Sequence, residues 1–253
     1  MANAPAELIR ALNGADPADR VKAAARAGEL IRAGTIRRTE SDEVNNHIHT
    51  IYSFSPYSPS LAAFKAWEAG LKAVGSMDHD SVAAAGEMHA AGKAIGIATT
   101  AGCEVRVNLT GTALEGRKVN NPDSANIAYI ALHGIPDDRL DEATEFLKPI
   151  NAARNLRNGK QVAALNRLIQ VSGLAPLDFE KDVLAISKAA EGGGVTERHI
   201  LYALAGRIID TAGKGAGTIE FLKAKLGLTL PGKIGEFLAD SDNPHYQYDL
   251  LGV

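Results

Sequence analysis

Short apolar runs alternate with helix-like segments between residues 43 and 135, and this alternation constrains the fold more than any other feature. Residues 44–50 and 73–77 are predicted strands, because each run is short and leads into polar side chains. Helical spacing separates them, at Leu61, Phe64, Trp67 and Leu71. The later segments are a helix over 82–94, one or two strands over 95–107 and an apolar run over 125–132. Strands separated by helices predict an α/β fold with a parallel sheet or an α/β barrel.

Helical patterns flank this alternating region on both sides. Residues 1–40 are predicted helices, with Asp16 as an N-cap before Pro17. Residues 136–253 are predicted to be mainly helical, with Thr196 as the N-cap of one helix. The helices expected there cover 140–147, 161–171, 179–190, 197–205 and 219–226. The predicted domains are therefore N-terminal helices over 1–40, an α/β core over 41–135 and a helical part over 136–253, inserted beside or over the mouth of the site.

Composition and net charge argue against several classes of protein. The formal net charge of the 253 residues is -3, which argues against a binder of duplex nucleic acid. The single cysteine, Cys103, excludes an internal disulfide and favours a reducing compartment. No signal-peptide pattern is visible, and no apolar run approaches the roughly 20 residues that span a bilayer. We therefore expect a cytoplasmic protein that binds neither membranes nor duplex nucleic acid.

Two histidines stand at the end of the first predicted strand, in the sequence His47-Ile48-His49. Residues two apart in a strand point to the same face, so both imidazoles can reach one metal ion. The alternative is a pair of ordinary surface or capping histidines.

Asp78-His79-Asp80 directly follows the second predicted strand and precedes a helix. Many α/β folds place their active sites there, beyond the carboxyl ends of the strands. A carboxylate with an imidazole suits zinc, manganese or iron. The alternative is that Asp80 only caps the next helix and that His79 has no function of its own.

Glu104 ends the third apolar run, and a carboxylate at this position can bridge two metal ions. Each of the three signals lies about one strand–helix unit from the next, and a parallel barrel brings such strand ends together. The sequence therefore predicts a shared site for one to three divalent metal ions. Cys103, just before Glu104, is predicted to pack rather than to act as a nucleophile, which would need a base beside it.

The motifs His47-Ile48-His49-Thr50, Met77-Asp78-His79-Asp80-Ser81 and Gly102-Cys103-Glu104 resemble the opening motifs of the PHP (polymerase and histidinol phosphatase) superfamily. The resemblance covers residues 43–135. It implies an irregular (βα)7 barrel and hydrolysis of a phosphate ester by metal-activated water. The ligands so implied are His47, His49, His79 and Glu104, with Asp78 in or beside the coordination shell and in a catalytic role.

Two later segments extend the predicted site. Thr196-Glu197-Arg198-His199 is similar to the start of a helix in short bacterial PHP phosphatases, where Arg198 would suit a phosphate and His199 a metal ion. The alternative for this segment is an exposed, charged first turn. His133 ends an apolar run near the place where family members supply a further metal ligand, and the alternative is a buried or capping histidine. In catalysis, Arg198, and also Arg106 or Lys72, could neutralise the remaining charge on the phosphate.

The chain also departs from the family pattern. The stretch from Tyr52 to Ser55 has no carboxylate where many members have an aspartate, and no Asp-x-His follows residue 200. The predicted barrel is therefore incomplete, or its site is reduced. The predicted partner is a small phosphorylated substrate, and homo-oligomerisation is one way to cover open sheet edges. The alternatives are a weakly active or inactive PHP-like module that binds metal or phosphate, and a structural α/β protein without metal.

Overall fold

The computed structural model describes residues 4–122 and 124–252. They contain a four-stranded sheet and a series of helices, divided between two compact units. The first unit consists of Met1–Asn151 with Lys188–Gly194, and the second of Ala152–Ser187 with Val195–Val253. The strands are β1 (Val44–Ile48), β2 (Ala73–His79), β3 (Ala98–Asn108) and β4 (Ile127–His133). The helices of the first unit are α1 (Ala6–Leu12), α2 (Pro17–Arg32), α3 (Pro59–Glu68) and α4 (Ala85–Ile95).

The sheet has the order β1-β2-β3-β4 and curls into a half-barrel. β1, β2 and β3 are parallel, as the alternation of strands and helices predicts. β4 is antiparallel to β3, which the sequence pattern does not predict. The physical reason is the connection: its described residues, 109–122 and 124–126, contain no crossover helix, so the chain reverses direction and pairs antiparallel to β3. The seven-stranded barrel that the family resemblance implies is not confirmed by this sheet.

Local capping sets the starts of two helices. Asp16 accepts a hydrogen bond from Asp19 N at 3.0 Å, which confirms the predicted N-cap of α2. Ser58 caps α3 in the same way, through Leu61 N at 3.1 Å. Asp80 does not cap α4, because that helix begins several residues later, after Ala84. The helix predicted from residue 82 therefore starts at Ala85.

The core of the first unit lies between α1–α4 and the sheet. Its largest fully buried side chains include Leu12, Phe64, Val74 and Met88, with Trp67 beside them. Burying such side chains contributes about 1.5–3 kcal/mol each, so this cluster stabilises the packing of the helices on the sheet.

One ion pair lies inside this unit. The Arg20 side chain is fully buried, and it donates two hydrogen bonds to the carboxylate of Glu87, at 2.9 and 2.5 Å. Arg20 also donates to the carbonyls of Gly14 and Ala15, and Glu87 accepts from both the N–H and the hydroxyl of Ser60. Each charge is thus satisfied by several partners, as a buried pair requires.

The second unit is helical. It contains the later part of α5 (Leu140–Ile169), then α6 (Glu197–Ala212), α7 (Ala216–Ala224), α8 (Gly232–Ala239) and α9 (Tyr246–Leu250). α5 is one continuous helix with Pro149 inside it, where the sequence predicts two separate segments. The predicted helix at 179–190 is instead a π-helical turn (Phe179–Leu184) followed by a 3₁₀ turn (Ala189–Glu191). In the described part of the chain, no helix is both long enough and apolar enough to cross a bilayer.

We expect Glu87→Ala to lower the free energy of unfolding of the first unit by about 3–5 kcal/mol, because it leaves the buried Arg20 charge without its partner. The fluorescence of Trp67, the single tryptophan and a member of the same core, reports this unfolding in denaturant. Glu29→Ala is the control, because Glu29 pairs with Arg26 on the surface, and we expect a loss of less than about 1 kcal/mol. Equal losses in the two variants would show that the Arg20–Glu87 pair does not stabilise the unit.

Candidate metal centre

Two imidazoles and one carboxylate converge at the carboxyl end of β1. The Nε2 atoms of His47 and His49 lie 3.8 and 3.7 Å from Oε2 of Glu104. The ligand atoms of the three residues all lie within 4.8 Å of one another. The group is open to solvent on one side, with 43% of the His47 side chain and 18% of the Glu104 side chain exposed. Three good ligand atoms are thus held close together at an accessible surface.

Strand geometry explains why these side chains meet. His79 on β2 is paired in register with Glu104 on β3, so the two side chains leave the same face of the sheet. The pairing between β1 and β2 shifts beyond Asn45, whose side-chain oxygen accepts a hydrogen bond from His47 N at 3.0 Å. Irregularities of this kind redirect side chains next to functional sites, and here the shift occurs at the first of the histidines.

Two further histidines surround the group. His79 Nδ1 lies 3.2 Å from Glu104 Oε2, and the His79 ring stacks on that of His49 with a centroid separation of 4.6 Å. The ring of His133, on β4, lies 6.3 Å from that of His47. The structure therefore brings three of the predicted histidines to one carboxylate, with His133 beside His47.

Asp78 lies beside this group rather than in it. It precedes His79 in β2 and so projects from the opposite face of the strand, where it is fully buried. Its carboxylate accepts hydrogen bonds from Thr50 N and the Thr50 hydroxyl, both at 2.7 Å, and from the Ser53 hydroxyl at 2.6 Å. Burial raises the pKa of Asp78, and the three hydrogen bonds oppose that rise. Thr50 and Ser53 donate to both carboxylate oxygens of Asp78. Asp78 therefore stabilises the site from the buried face of the sheet.

Ser53 connects this buried carboxylate to the metal-binding face. Its oxygen lies 3.2 Å from Nδ1 of His49. The Ser53 hydroxyl donates its single proton to the carboxylate of Asp78, so toward His49 the Ser53 oxygen acts as the acceptor. His49 then carries its proton on Nδ1 and keeps a lone pair on Nε2, the atom that faces Glu104. In this state Asp78 and Ser53 together select the tautomer that can bind a metal ion.

The sequence reasoning missed Ser53 and Thr50. A usable signal was present, because Thr50 and Ser53 follow the two histidines closely and offer hydroxyls where the family pattern has a carboxylate. The structure shows that these hydroxyls bind a carboxylate from the next strand instead.

Arg198 and His199 belong to the second unit. His199 is buried, and its Nδ1 accepts a hydrogen bond from Thr196 N at 3.0 Å in a capping box at the start of α6. Burial lowers the pKa of His199 to about 4, so the ring is neutral near pH 7. Burial also raises the pKa of Tyr248, and the nearby guanidinium of Arg198 opposes that rise. Thr196 is thus the N-cap that the sequence predicts, and the Nδ1 atom of His199 serves the helix rather than a metal ion.

Two neighbours of the group have structural roles. Cys103 is buried, and burial raises the pKa of its thiol to about 11, as expected for packing rather than nucleophilic attack. Asp80 has a positive φ of 51°, and its backbone N–H donates to the carbonyl of Glu104 at 2.9 Å. This bond ties the turn after β2 to β3 beside the centre.

The donor set fits a divalent transition metal. Imidazole nitrogens with a carboxylate oxygen are ligands that zinc, manganese and iron accept in proteins. The residues that could hold the ion are His47, His49 and Glu104, with His79 next to them. The absence of cysteine sulfur from this group argues against a closed site of the zinc-finger type.

Comparisons with known proteins identify one distant likeness. A crystal structure described as that of a "putative metal-dependent phosphoesterase" from Bifidobacterium adolescentis matches with a TM-score of 0.45 and 20% sequence identity. The match covers 76% of this chain and 60% of that chain. At this TM-score the likeness carries no argument about fold or activity. No protein-family model matches the chain, and no curated protein matches it either.

We expect Ser53→Ala to weaken zinc binding roughly tenfold to a hundredfold, because loss of an outer-shell partner of a ligating histidine typically has that effect. Competition with a chromophoric chelator measures the affinity. Nitrogen-15 NMR of the metal-free protein should show the Nδ1–H tautomer of His49 in the wild type and a shift toward Nε2–H in the variant. Ser55→Ala removes a nearby hydroxyl that accepts a hydrogen bond from Tyr57 N, and it should change neither. Unchanged tautomer and affinity in Ser53→Ala would refute the role of Ser53.

Proposed function

We propose that this protein hydrolyses a small phosphate ester with the help of one to three divalent metal ions bound at the centre formed by His47, His49 and Glu104. The observation that carries this proposal is the convergence of three ligand atoms within 4.8 Å at an open face of the sheet. The resemblance of the surrounding motifs to the PHP superfamily supports the same reaction class.

When bound, the metal supplies a nucleophilic water at neutral pH and draws charge from the phosphoryl oxygens. The residues of the chain hold and orient it. Glu104 provides the negative charge, and His47 and His49 provide neutral nitrogen donors. Ser53 and Asp78 keep His49 in the tautomer that turns an unprotonated Nε2 toward Glu104. His79, close to Glu104, is placed to accept or return a proton at the same face.

We propose a small substrate rather than duplex nucleic acid. The formal net charge of -3 supports this, because a duplex binder needs many basic contacts with phosphates. Among the predicted partners, a homo-oligomer remains a proposal that would cover the outer edges of β1 and β4.

A second candidate is a module that binds metal or phosphate without turning it over. The observation that favours it is the ligand count, since the close group has three members and two or three metal ions need more. The sequence also has no Asp-x-His after residue 200 to supply late ligands.

The test combines metal analysis with turnover. We expect the purified wild-type protein to bind at least one equivalent of zinc or manganese and to hydrolyse 4-nitrophenyl phosphate. His49→Ala and Glu104→Ala should each lose metal and lower the rate at least tenfold, because each removes one of three ligands. His245→Ala, which alters an exposed histidine of the second unit, is the control and should match the wild type.

Stoichiometric metal without turnover of any phosphate ester would favour the binding module. A wild-type protein that binds neither a divalent metal nor phosphate would contradict both candidates and support a structural role.

A further inference from the structure

Arg106 lies on β3 two residues beyond Glu104 and on the same face of the sheet. The register from Gly102 to Asn108 is uninterrupted, so this shared face is well defined. The Arg106 side chain is partly buried, and its Nε atom is buried without a hydrogen-bond partner. Within residues 4–122 and 124–252, the Arg106 side chain makes neither a hydrogen bond nor an ion pair.

Other partly or fully buried arginines have carboxylate partners. Arg20 pairs with Glu87, and Arg207 pairs with Asp182 at 2.8 Å. A guanidinium that is partly removed from water without such a partner is unfavourable, and an anion bound beside it would offset that cost. Arg106 thus provides an uncompensated positive charge next to the candidate metal centre.

The neighbours of Arg106 belong to the same surface. Tyr129 on β4 is its cross-strand partner, and the Tyr129 ring lies 5.9 Å from that of His79. Asn120 fixes the backbone of Tyr129 with two hydrogen bonds, at 2.7 and 2.9 Å. Residues two apart on a strand are separated by roughly 6.6–6.8 Å, which is within the reach of one arginine side chain. An oxyanion close to Glu104 and His79 would therefore be accessible to the guanidinium.

We propose that Arg106 binds the phosphoryl oxygens of a ligand at this centre and selects phosphate monoesters over diesters. The proposal rests on the proposed function of the same site. A guanidinium presents its donors as a planar fork that matches two phosphate oxygens at once. A monoester is a dianion with three unesterified oxygens, whereas a diester is a monoanion with two, so the monoester gains more from this contact.

The test measures the binding of inorganic phosphate by calorimetry, to metal-free and to zinc-loaded protein. We expect Arg106→Gln to weaken phosphate binding about tenfold to a hundredfold, as for loss of hydrogen bonds to a charged group. Arg106→Lys should recover part of the affinity, because it keeps the charge and loses the fork. The control, Arg139→Gln, removes an exposed arginine that pairs with Glu142 and should bind phosphate as the wild type does.

A second measurement tests selectivity, with zinc content and circular dichroism confirming that each variant is folded and loaded. Arg106→Gln should raise KM for 4-nitrophenyl phosphate at least tenfold and change KM for bis(4-nitrophenyl) phosphate much less. Phosphate binding equal in Arg106→Gln and wild type, or absent from the wild type, would overturn the assignment of Arg106. The protein could bind phosphate through Arg106 and yet neither hold metal nor hydrolyse an ester. That result would retain the assignment of Arg106 and refute the proposed hydrolysis.

Discussion

The candidate centre depends on the hydrogen bonds to the buried carboxylate of Asp78. A carboxylate removed from water must be matched by donors, and all three come from Thr50 and Ser53, in the segment that follows β1. These bonds join the end of β1 to β2. Because His47 and His49 lie directly before that segment, the same bonds fix where the two imidazoles stand relative to Glu104.

The net charge of the centre determines which ligands would bind at its open face. A divalent ion held by two neutral imidazoles and one carboxylate keeps a net positive charge, which favours an anion at the open face. Arg106 adds a second positive charge on that face without a carboxylate partner. With the ion bound, the proposed ligand would carry more than one negative charge, as a phosphate monoester does.

Short-range sequence patterns predicted the strands and the face of the sheet that His47 and His49 share. Period-two spacing placed His47 with His49, and the order of strands and helices gave the three parallel strands. The antiparallel β4 was missed because direction depends on the connecting segment, which has no helical pattern to identify it. The segment at 179–190 was predicted as one helix. It forms a π-helical turn instead, and Val183 is the fully buried residue of that turn. Asp78 was predicted to lie in or beside the coordination shell, because sequence cannot show which donors a carboxylate meets.

The central claim is that His47, His49 and Glu104 hold one divalent ion. X-ray absorption spectroscopy of the zinc-loaded protein tests it most directly. The account predicts nitrogen and oxygen ligands at about 2.0–2.2 Å with the multiple-scattering signature of at least two imidazoles. That signature should disappear with the bound zinc when His47 and His49 are both replaced by alanine. Sulfur scattering at about 2.3 Å, or a spectrum without imidazole, would contradict it.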